Sequence, residues 1–547
     1  MSNATRARYF IALVLFALVW FWGLGHRPLF NTDEGRYAEI PREMLVSGDW
    51  VTPRLNNLRY FEKPPLQYWA TTAAYAVFGV HDWAARLWTA LCGFLTVLLA
   101  GLTAGRLYGE RAGWYAAAAL AGSFYFGFLA HFSTLDAGLA FAMNLTLFGF
   151  VLAQHAPPHS RAERAWMLVA YGGAALAVLS KGLIGIILPG AVLVLYLIVK
   201  REIGLLRRLH IGIGLAFFFA LVLPWFIVVS IKNPDFLYQF FVVQQFLRFL
   251  TPIAERPGAW WYFFPLLLLA VLPWLAAAVR GLWRPPLRLF ARGAFDPAAL
   301  LWLWVVFIFA FFTISHSKLP SYILPVIPAF AVLIGRELAA SRSKPWIGVA
   351  VSLLAGAVIV AAGFLAPRYV HGTDPAMLRA YEPWVIAAGA LIVAATLAAC
   401  ALRGCRFALV GVIAAAWLVA ARLILLGGAA LGPEYSTRAL TAEVARYNRP
   451  GVPIYSVGGY QQTLPFYLRR TMTLVAYQGE MQFGIEHARG SLADRYLPTL
   501  QDFATAWRGK REALAFVPRE LMGKVQALGI HYRIVGENPD WIALVPA

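Results

Sequence analysis

Asp33 and Glu34 are adjacent carboxylates that follow directly on an apolar run at 9–25, with Arg36 and Tyr37 beside them. Such a pair can bind a divalent cation, act as a base or pair with Arg36, and it is poor material for packing. Glu62-Lys63-Pro64-Pro65 is a second cluster, whose prolines stiffen the backbone and fix two opposite charges against the start of an aromatic segment. Asp136 opens another apolar run, where a carboxylate also favours a helix N-terminus. Lys181 stands in a Ser180-Lys181-Gly182 corner. His316, Lys318 and Tyr322 stand in a corner, Ser315 to Tyr322, polar enough to hold a phosphate. Arg248 lies among Phe240, Phe241, Phe246 and Phe249, so it can meet a phosphate while the rings meet an acyl or isoprenoid chain. Taken singly, each has a plain reading as an interfacial ion pair, a snorkelling lysine or a backbone-bonded histidine. Charged groups at a membrane boundary are costly unless paired, solvated or functional, so the test is whether they share one face.

The elements that would position them are membrane spans. The chain has 547 residues, 60% of them hydrophobic and 14% charged, with a mean hydropathy of +0.64. That composition needs the bilayer as solvent. Thirteen apolar segments are long enough to span, at 9–27, 84–107, 111–131, 136–154, 166–182, 183–199, 210–231, 259–279, 297–314, 320–335, 346–366, 383–402 and 406–427. Residues 65–79 read instead as a helix lying in the interface. With the N-terminus inside, the cytoplasmic loops carry Arg106, Arg111, Arg161, Arg164, Lys200, Arg201, Arg280, Arg336, Arg403 and Arg406, as the positive-inside rule requires. A fourteenth span at 65–79 would put all of them outside.

The opposite face then receives the loop 28–83, the corners holding Asp136, Lys181 and Lys318, and the loop 232–258. Residues 428–547 reach the same face. Strand-like runs at 452–458, 471–477, 512–518 and 541–545 alternate there with helical stretches such as 437–447, a small α/β domain. The domains read as 1–427, transmembrane, and 428–547, periplasmic. The net charge of +20 is explained by the orienting loops, so nucleic acid is not expected, whereas anionic lipid headgroups are. Cys92, Cys400 and Cys405 offer no disulfide framework to the polar tail. A long apolar core followed by His-Arg-Pro-Leu-Phe reads as an uncleaved first span. No P-loop, dinucleotide fingerprint or zinc-protease motif occurs.

The order and spacing of Asp33-Glu34, Glu62-Lys63-Pro64-Pro65, Asp136, Ser180-Lys181-Gly182 and Ser317-Lys318-Leu319-Pro320-Ser321-Tyr322 resemble the C-type (GT-C) membrane glycosyltransferases related to protein O-mannosyltransferases, and among them the bacterial lipid A aminoarabinose transferases. The resemblance implies transfer of 4-amino-4-deoxy-L-arabinose from undecaprenyl phosphate to a lipid A phosphate at the periplasmic face of the inner membrane. It implies a monomeric enzyme whose partners are that lipid-linked sugar, a lipopolysaccharide precursor and membrane lipids, with a role in polymyxin resistance. The family's acidic positions map onto Asp33 and Asp136, and its Glu-Lys pair onto Glu62 and Lys63. Relatives often carry a histidine near the aromatic loop, where this chain has Gln244-Gln245.

Displacement at an anomeric carbon passes through an oxocarbenium-like state while charge grows on the leaving phosphate. Lys63, Lys181, Lys318 and Arg248 are the candidate cations, with Arg36, Glu34 and Tyr322 as further substrate contacts. An anionic acceptor needs no general base, so Asp33 would orient the amino sugar, stabilise positive charge or, with Glu62, hold a divalent metal. A hydroxyl acceptor would make Asp33 the base. The rivals are another polyprenyl-linked sugar or acceptor, and a lipid-linked sugar flippase. The flippase reading predicts charges near mid-membrane and related halves, and the chain has neither.

Overall fold

The computed structural model describes residues 3–247, 256–283, 295–341, 346–370, 372–401, 405–488, 492 and 494–547. The chain condenses into two compact units, one of residues 1–23, 88–369 and 382–426, the other of residues 24–87, 370–381 and 427–547. Among the described residues, eight helices are long and apolar enough to cross a membrane, and Tyr9–Phe21 and Ile184–Lys200 are shorter apolar helices. The remaining three expected segments are helical as well, for local reasons that shorten or polarise them. The run at 111–131 breaks at Gly122, where Ser123 Oγ accepts from the amide of Phe126 and starts a new helix, Phe124–Leu129. The run at 166–182 belongs to Arg161–Lys181, whose first turn is charged and is capped by Ser160. The run at 320–335 begins as a 3-10 turn, Pro320–Ile323, and becomes α-helical only over Val326–Ala340.

In the first unit the helices approach closely through small residues. Leu135–His155 and Arg161–Lys181 pack so tightly that a Cβ at Gly173 would stand 2.6 Å from the amide nitrogen of Thr146. Leu135–His155 is 83% buried over its apolar window, whereas Ile211–Lys232 and Trp346–Tyr369 are each only 22% buried. Those outer helices expose an apolar surface that only lipid satisfies.

The second unit gathers residues 24–87 with the C-terminal segment. The chain passes from the first unit to the second at 426/427, beside the expected boundary at 427/428, and residues 24–87 join the second unit because the helix Asp33–Ser47 packs on the helix Thr463–Leu468. Gly35 permits that approach, since a Cβ there would lie 2.5 Å from the amide nitrogen of Thr463. The 65–79 segment forms the helix Leu66–Phe78, with Gln67, Tyr68, Thr71, Thr72 and Tyr75 buried. Two short strands, β1 (Arg54–Leu55) and β2 (Leu58–Arg59), pair as a hairpin. Asn56 and Asn57 turn it with φ of 54° and 59°, the left-handed pair such a tight turn requires. The side chain of Asn56 then bonds both main-chain groups of Met472, at 2.7 Å each.

The α/β segment holds a six-stranded sheet. Its strands are β3 (Ile454–Val457), β4 (Thr473–Val475), β5 (Tyr496–Leu497), β6 (Leu514–Pro518), β7 (Tyr532–Glu537) and β8 (Trp541–Pro546), in the order β5-β4-β3-β6-β8-β7. β5, β4, β3 and β6 run parallel, while β8 pairs antiparallel with both β6 and the edge strand β7. Four of these strands coincide with the expected runs. β5 and β7 do not, because β5 is two residues long and β7 is a largely exposed edge without a buried stripe.

The helix Asp33–Ser47 is unusual in burying Glu34, Glu39, Arg42 and Glu43. Each of these acids is answered. Glu39 takes two bonds of 2.6 Å from Arg42, and Glu43 accepts from the amides of Asn56 and Asn57 at 2.6 and 2.7 Å. Burial, aided by the neighbouring charge of Glu39, pushes the Glu43 carboxyl up from 4.5 to about 8. A carboxyl raised in the folded state binds its proton more tightly there than in the unfolded chain. Its contribution therefore fades as pH rises from about 4.5 towards 8. Glu43→Gln is expected to flatten that decline, read as thermal midpoints of the purified protein across this range; an unchanged slope would assign the decline to another group.

Candidate functional site

The second unit assembles a polar cluster around Arg36. Asp33 opens its helix and keeps its side chain 44% exposed, with Oδ1 3.3 Å from Arg36 Nη1. Arg36 also meets Glu480, at 2.5 Å. Glu480 Oε1 accepts from Gln462 Nε2 at 2.5 Å, so two residues of the C-terminal segment enter the cluster. Burial raises the Glu480 carboxyl against the lowering influence of Arg36, and the charges of Glu62 and Asp33 reach it too. Tyr37 and Tyr68 stack at 6.2 Å between centroids. The hydroxyls of Tyr60 and Tyr68, both sides of the Gln67 amide and the Gln462 carbonyl are buried without hydrogen-bond partners. The cluster thus offers carboxylates, aromatic faces and unused polar atoms, the materials that hold a sugar. Glu62 and Lys63 are half-buried on the turn before Pro64, where the sequence expects a stiffened Glu-Lys pair.

Glu34 has a different post from its neighbour. Its carboxylate accepts from Arg27 at 2.5 and 3.0 Å and from Arg86 at 2.8 and 2.9 Å, enclosed at 2% exposure. Burial alone would raise this carboxyl; the two guanidiniums instead hold it well below the usual carboxylate range. Glu34 therefore ties the chain entering the helix to the residues around it, and only Asp33 of the pair is presented outward.

A second cluster lies in the first unit. Asp136, in the first turn of Leu135–His155, accepts from Lys181 Nζ at 2.5 Å and from Ser321 Oγ at 2.7 Å. The Lys181 ammonium also stands 5.1 Å from the Tyr322 ring centroid. Three corners far apart in sequence, those of Asp136, Lys181 and Ser321-Tyr322, thus meet. Lys318 does not join their ion pair. Its Nζ donates to the carbonyls of Phe312, Thr313 and Ser315, closing the C-terminal end of Pro297–Ile314. His316 is exposed on the same corner. Arg248 lies outside the described residues. Just before it, Tyr238–Leu247 winds as a π-helix with Phe240 buried, and Gln245 Oε1 accepts from the amide of Leu183 at 3.2 Å.

Among the described residues, no group of three or more His, Cys, Asp or Glu side chains stands together as a metal-ligand set. Sequence reading missed Glu480, Gln462, Tyr60 and Tyr68. The tyrosines look like ordinary interfacial aromatics, and Glu480 sits in a short Gln-Gly-Glu turn with nothing local to mark it.

Spans wrapped in apolar surface, a carboxylate-rich sugar-type cluster and a lysine-carboxylate cluster at the span ends define a membrane glycosyltransferase. Residues 7–240 match the family described as dolichyl-phosphate-mannose-protein mannosyltransferase, and residues 440–545 match the aminoarabinose transferase C-terminal domain. The chain is 34% identical to ArnT from Cupriavidus metallidurans, whose crystal structure bound to undecaprenyl phosphate superposes with a TM-score of 0.91 over 100% of this chain and 98% of that one. It is 28% identical over 87% of each chain to the undecaprenyl phosphate-alpha-4-amino-4-deoxy-L-arabinose arabinosyl transferase of Shewanella sediminis. It is 33% identical to the second such transferase of Pseudomonas fluorescens, over 68% of this chain and 64% of that one. The chain belongs to the aminoarabinose transferase family.

Proposed function

We propose that this chain moves 4-amino-4-deoxy-L-arabinose from undecaprenyl phosphate to a lipid A phosphate, lowering the negative charge of lipopolysaccharide and giving resistance to polymyxin. The carrying observation is the cluster of Asp33, Glu62 and Glu480 around Arg36, in a chain matching a carrier-bound family member along its whole length. A cationic sugar amine complements several carboxylates gathered on one guanidinium, where a neutral hexose would not need them.

In this reading an oxygen of the acceptor phosphate attacks the anomeric carbon as the bond to the carrier phosphate breaks. The carrier leaves as a lipid monophosphate, and the configuration inverts. The acceptor is anionic already, so no proton has to be removed from it. Asp33 faces the developing oxocarbenium charge, with Glu62 in support and Tyr37, Tyr60 and Tyr68 around the ring. Lys63 neutralises phosphate beside this cluster; in the first unit, taken by itself, Lys181 is a phosphate contact whose ammonium Asp136 and Ser321 hold in place. The reading keeps thirteen spans, an internal N-terminus, residues 1–427 as the transferase domain and residues 428–547 as a periplasmic domain of a monomeric inner-membrane enzyme.

The test is mass spectrometry of lipid A from a transferase-deficient strain carrying this gene. An added aminopentose supports the reading, whereas unmodified lipid A despite good expression and available donor sinks it. Glu480→Gln supplies a finer check on the amine. It is expected to raise KM for the amino-sugar donor by about tenfold, the cost of one charge-assisted bond, and to change kcat much less. An unchanged KM would remove Glu480 from sugar recognition.

A further inference from the structure

An open cavity of about 70 Å³ in the first unit shares no residue with either cluster. Its walls come from the 3-10 turn Leu272–Trp274, the helix Leu275–Trp283, the end of Val326–Ala340 and the starts of Trp346–Tyr369 and Arg406–Gly427. Two guanidiniums, Arg280 and Arg406, line it, together with the indoles of Trp274 and Trp346. Arg406 Nε and Trp274 Nε1 are buried in its wall without hydrogen-bond partners, and Trp274 is only 2% exposed. Both atoms can donate but never accept.

The rest of Arg406 is partly engaged. It donates to the Ser341 carbonyl and stands 5.7 Å from the Tyr115 ring centroid. The fixed charge facing it is that of Arg280, of the same sign. Among the described residues no carboxylate lines this cavity. Two like charges and two stranded donors without an acceptor make an expensive arrangement that an anion would complete. The mouth says what kind of anion. Trp346 and Ile347 are 50% and 57% exposed at the start of an apolar helix, so an occupant enters beside acyl chains. A tryptophan at such a level suits the boundary between headgroups and hydrocarbon.

We propose that this cavity binds the phosphate headgroup of an anionic phospholipid, with Arg280, Arg406 and the Trp274 indole donating to the phosphate oxygens and Trp346 and Ile347 against the lipid chains. It is a site apart from the sugar-transfer chemistry. The charge pattern puts its arginines at helix ends on the cytoplasmic side, where basic residues and acidic lipids attract one another.

Native mass spectrometry of the full-length protein in detergent tests this with phosphatidylglycerol, zwitterionic phosphatidylcholine and inorganic phosphate as separate probes. Phosphatidylglycerol is expected to stay bound and to raise the melting temperature, while the other two do neither. Arg280→Gln is expected to weaken phosphatidylglycerol binding about tenfold, the loss of one charge-assisted contact. Trp346→Ala lies at the exposed mouth, keeps the fold free of a missing charge and is expected to weaken it as well. Equal phosphatidylglycerol occupancy in wild type and both variants would overturn the site. Equal stabilisation by inorganic phosphate would overturn its assignment to lipid.

Discussion

Asp33→Asn, in a chain that folds and inserts normally, is expected to lower the rate of sugar transfer by about 10²–10³-fold, the size of effect seen when one preorganised charge-stabilising group is removed. The reason lies in what the asparagine keeps and what it loses. The Asp33 side chain is 44% exposed, and its bond to Arg36 is long at 3.3 Å. Arg36 retains Glu480 at 2.5 Å whatever stands at position 33. The substitution therefore preserves shape and packing and removes only a negative charge. That charge matters most when positive charge develops on the sugar ring, so kcat should fall while KM changes little. Initial rates with a polyprenyl-phosphate amino sugar and lipid A would measure this, beside thermal unfolding of the same preparations. Stability should stay within about 0.5 kcal/mol of the native chain, as for substitutions away from buried networks. A variant that transfers sugar at the native rate would remove Asp33 from the centre of the reaction.

Much of this arrangement was legible in the sequence, and the illegible part has a common physical cause. Span-length apolarity and loop charge are local properties, so all thirteen expected segments contain helix, although among the described residues eight helices are long and apolar enough in a single run. The 65–79 segment, too short to span, is the helix Leu66–Phe78. The corners of Asp136, Lys181 and Ser321-Tyr322 stood out because polar residues at span ends are conspicuous, and they do converge. Lys318 stood out for the same reason, yet its ammonium closes a helix end, because a lysine four residues beyond that end reaches the last carbonyls without any ligand. Asp33 and Glu34 could not be told apart in sequence. They point to different sides of the first helical turn, and what lies there depends on Arg86 and Glu480, set by tertiary contacts alone. The grouping of residues 24–87 with the C-terminal segment was hidden likewise, since it rests on close approach at Gly35 and on Asn56 pairing with the Met472 backbone.

Glu34→Gln, one residue along from the catalytic candidate, is expected to do the opposite of Asp33→Asn: to cost about 3–5 kcal/mol of stability, the usual penalty for leaving buried charges uncompensated. Glu34 receives four guanidinium bonds and one from the amide of Phe30 at 3.0 Å. Arg86 also donates to the carbonyls of Leu24, Arg27 and Pro28, so the carboxylate anchors a network that fixes the whole entry to the helix. A glutamine keeps the shape but leaves the buried guanidiniums of Arg27 and Arg86 facing each other without a countercharge. The same linkage sets the acid limit. A carboxyl held below its ordinary range contributes stability that is complete above the unfolded value of 4.5 and is lost as pH falls beneath it. The native protein should therefore lose stability on acidification below that point, and Glu34→Gln should lack most of this loss because its pairing is already gone. Adding Arg27→Met to Glu34→Gln should restore part of the stability, since it removes one of the two stranded charges. Yield and melting temperature of the three chains would measure the series. A Glu34→Gln protein that melts like the native one yet fails to transfer sugar would return Glu34 to the substrate-binding group, where sequence alone had placed it.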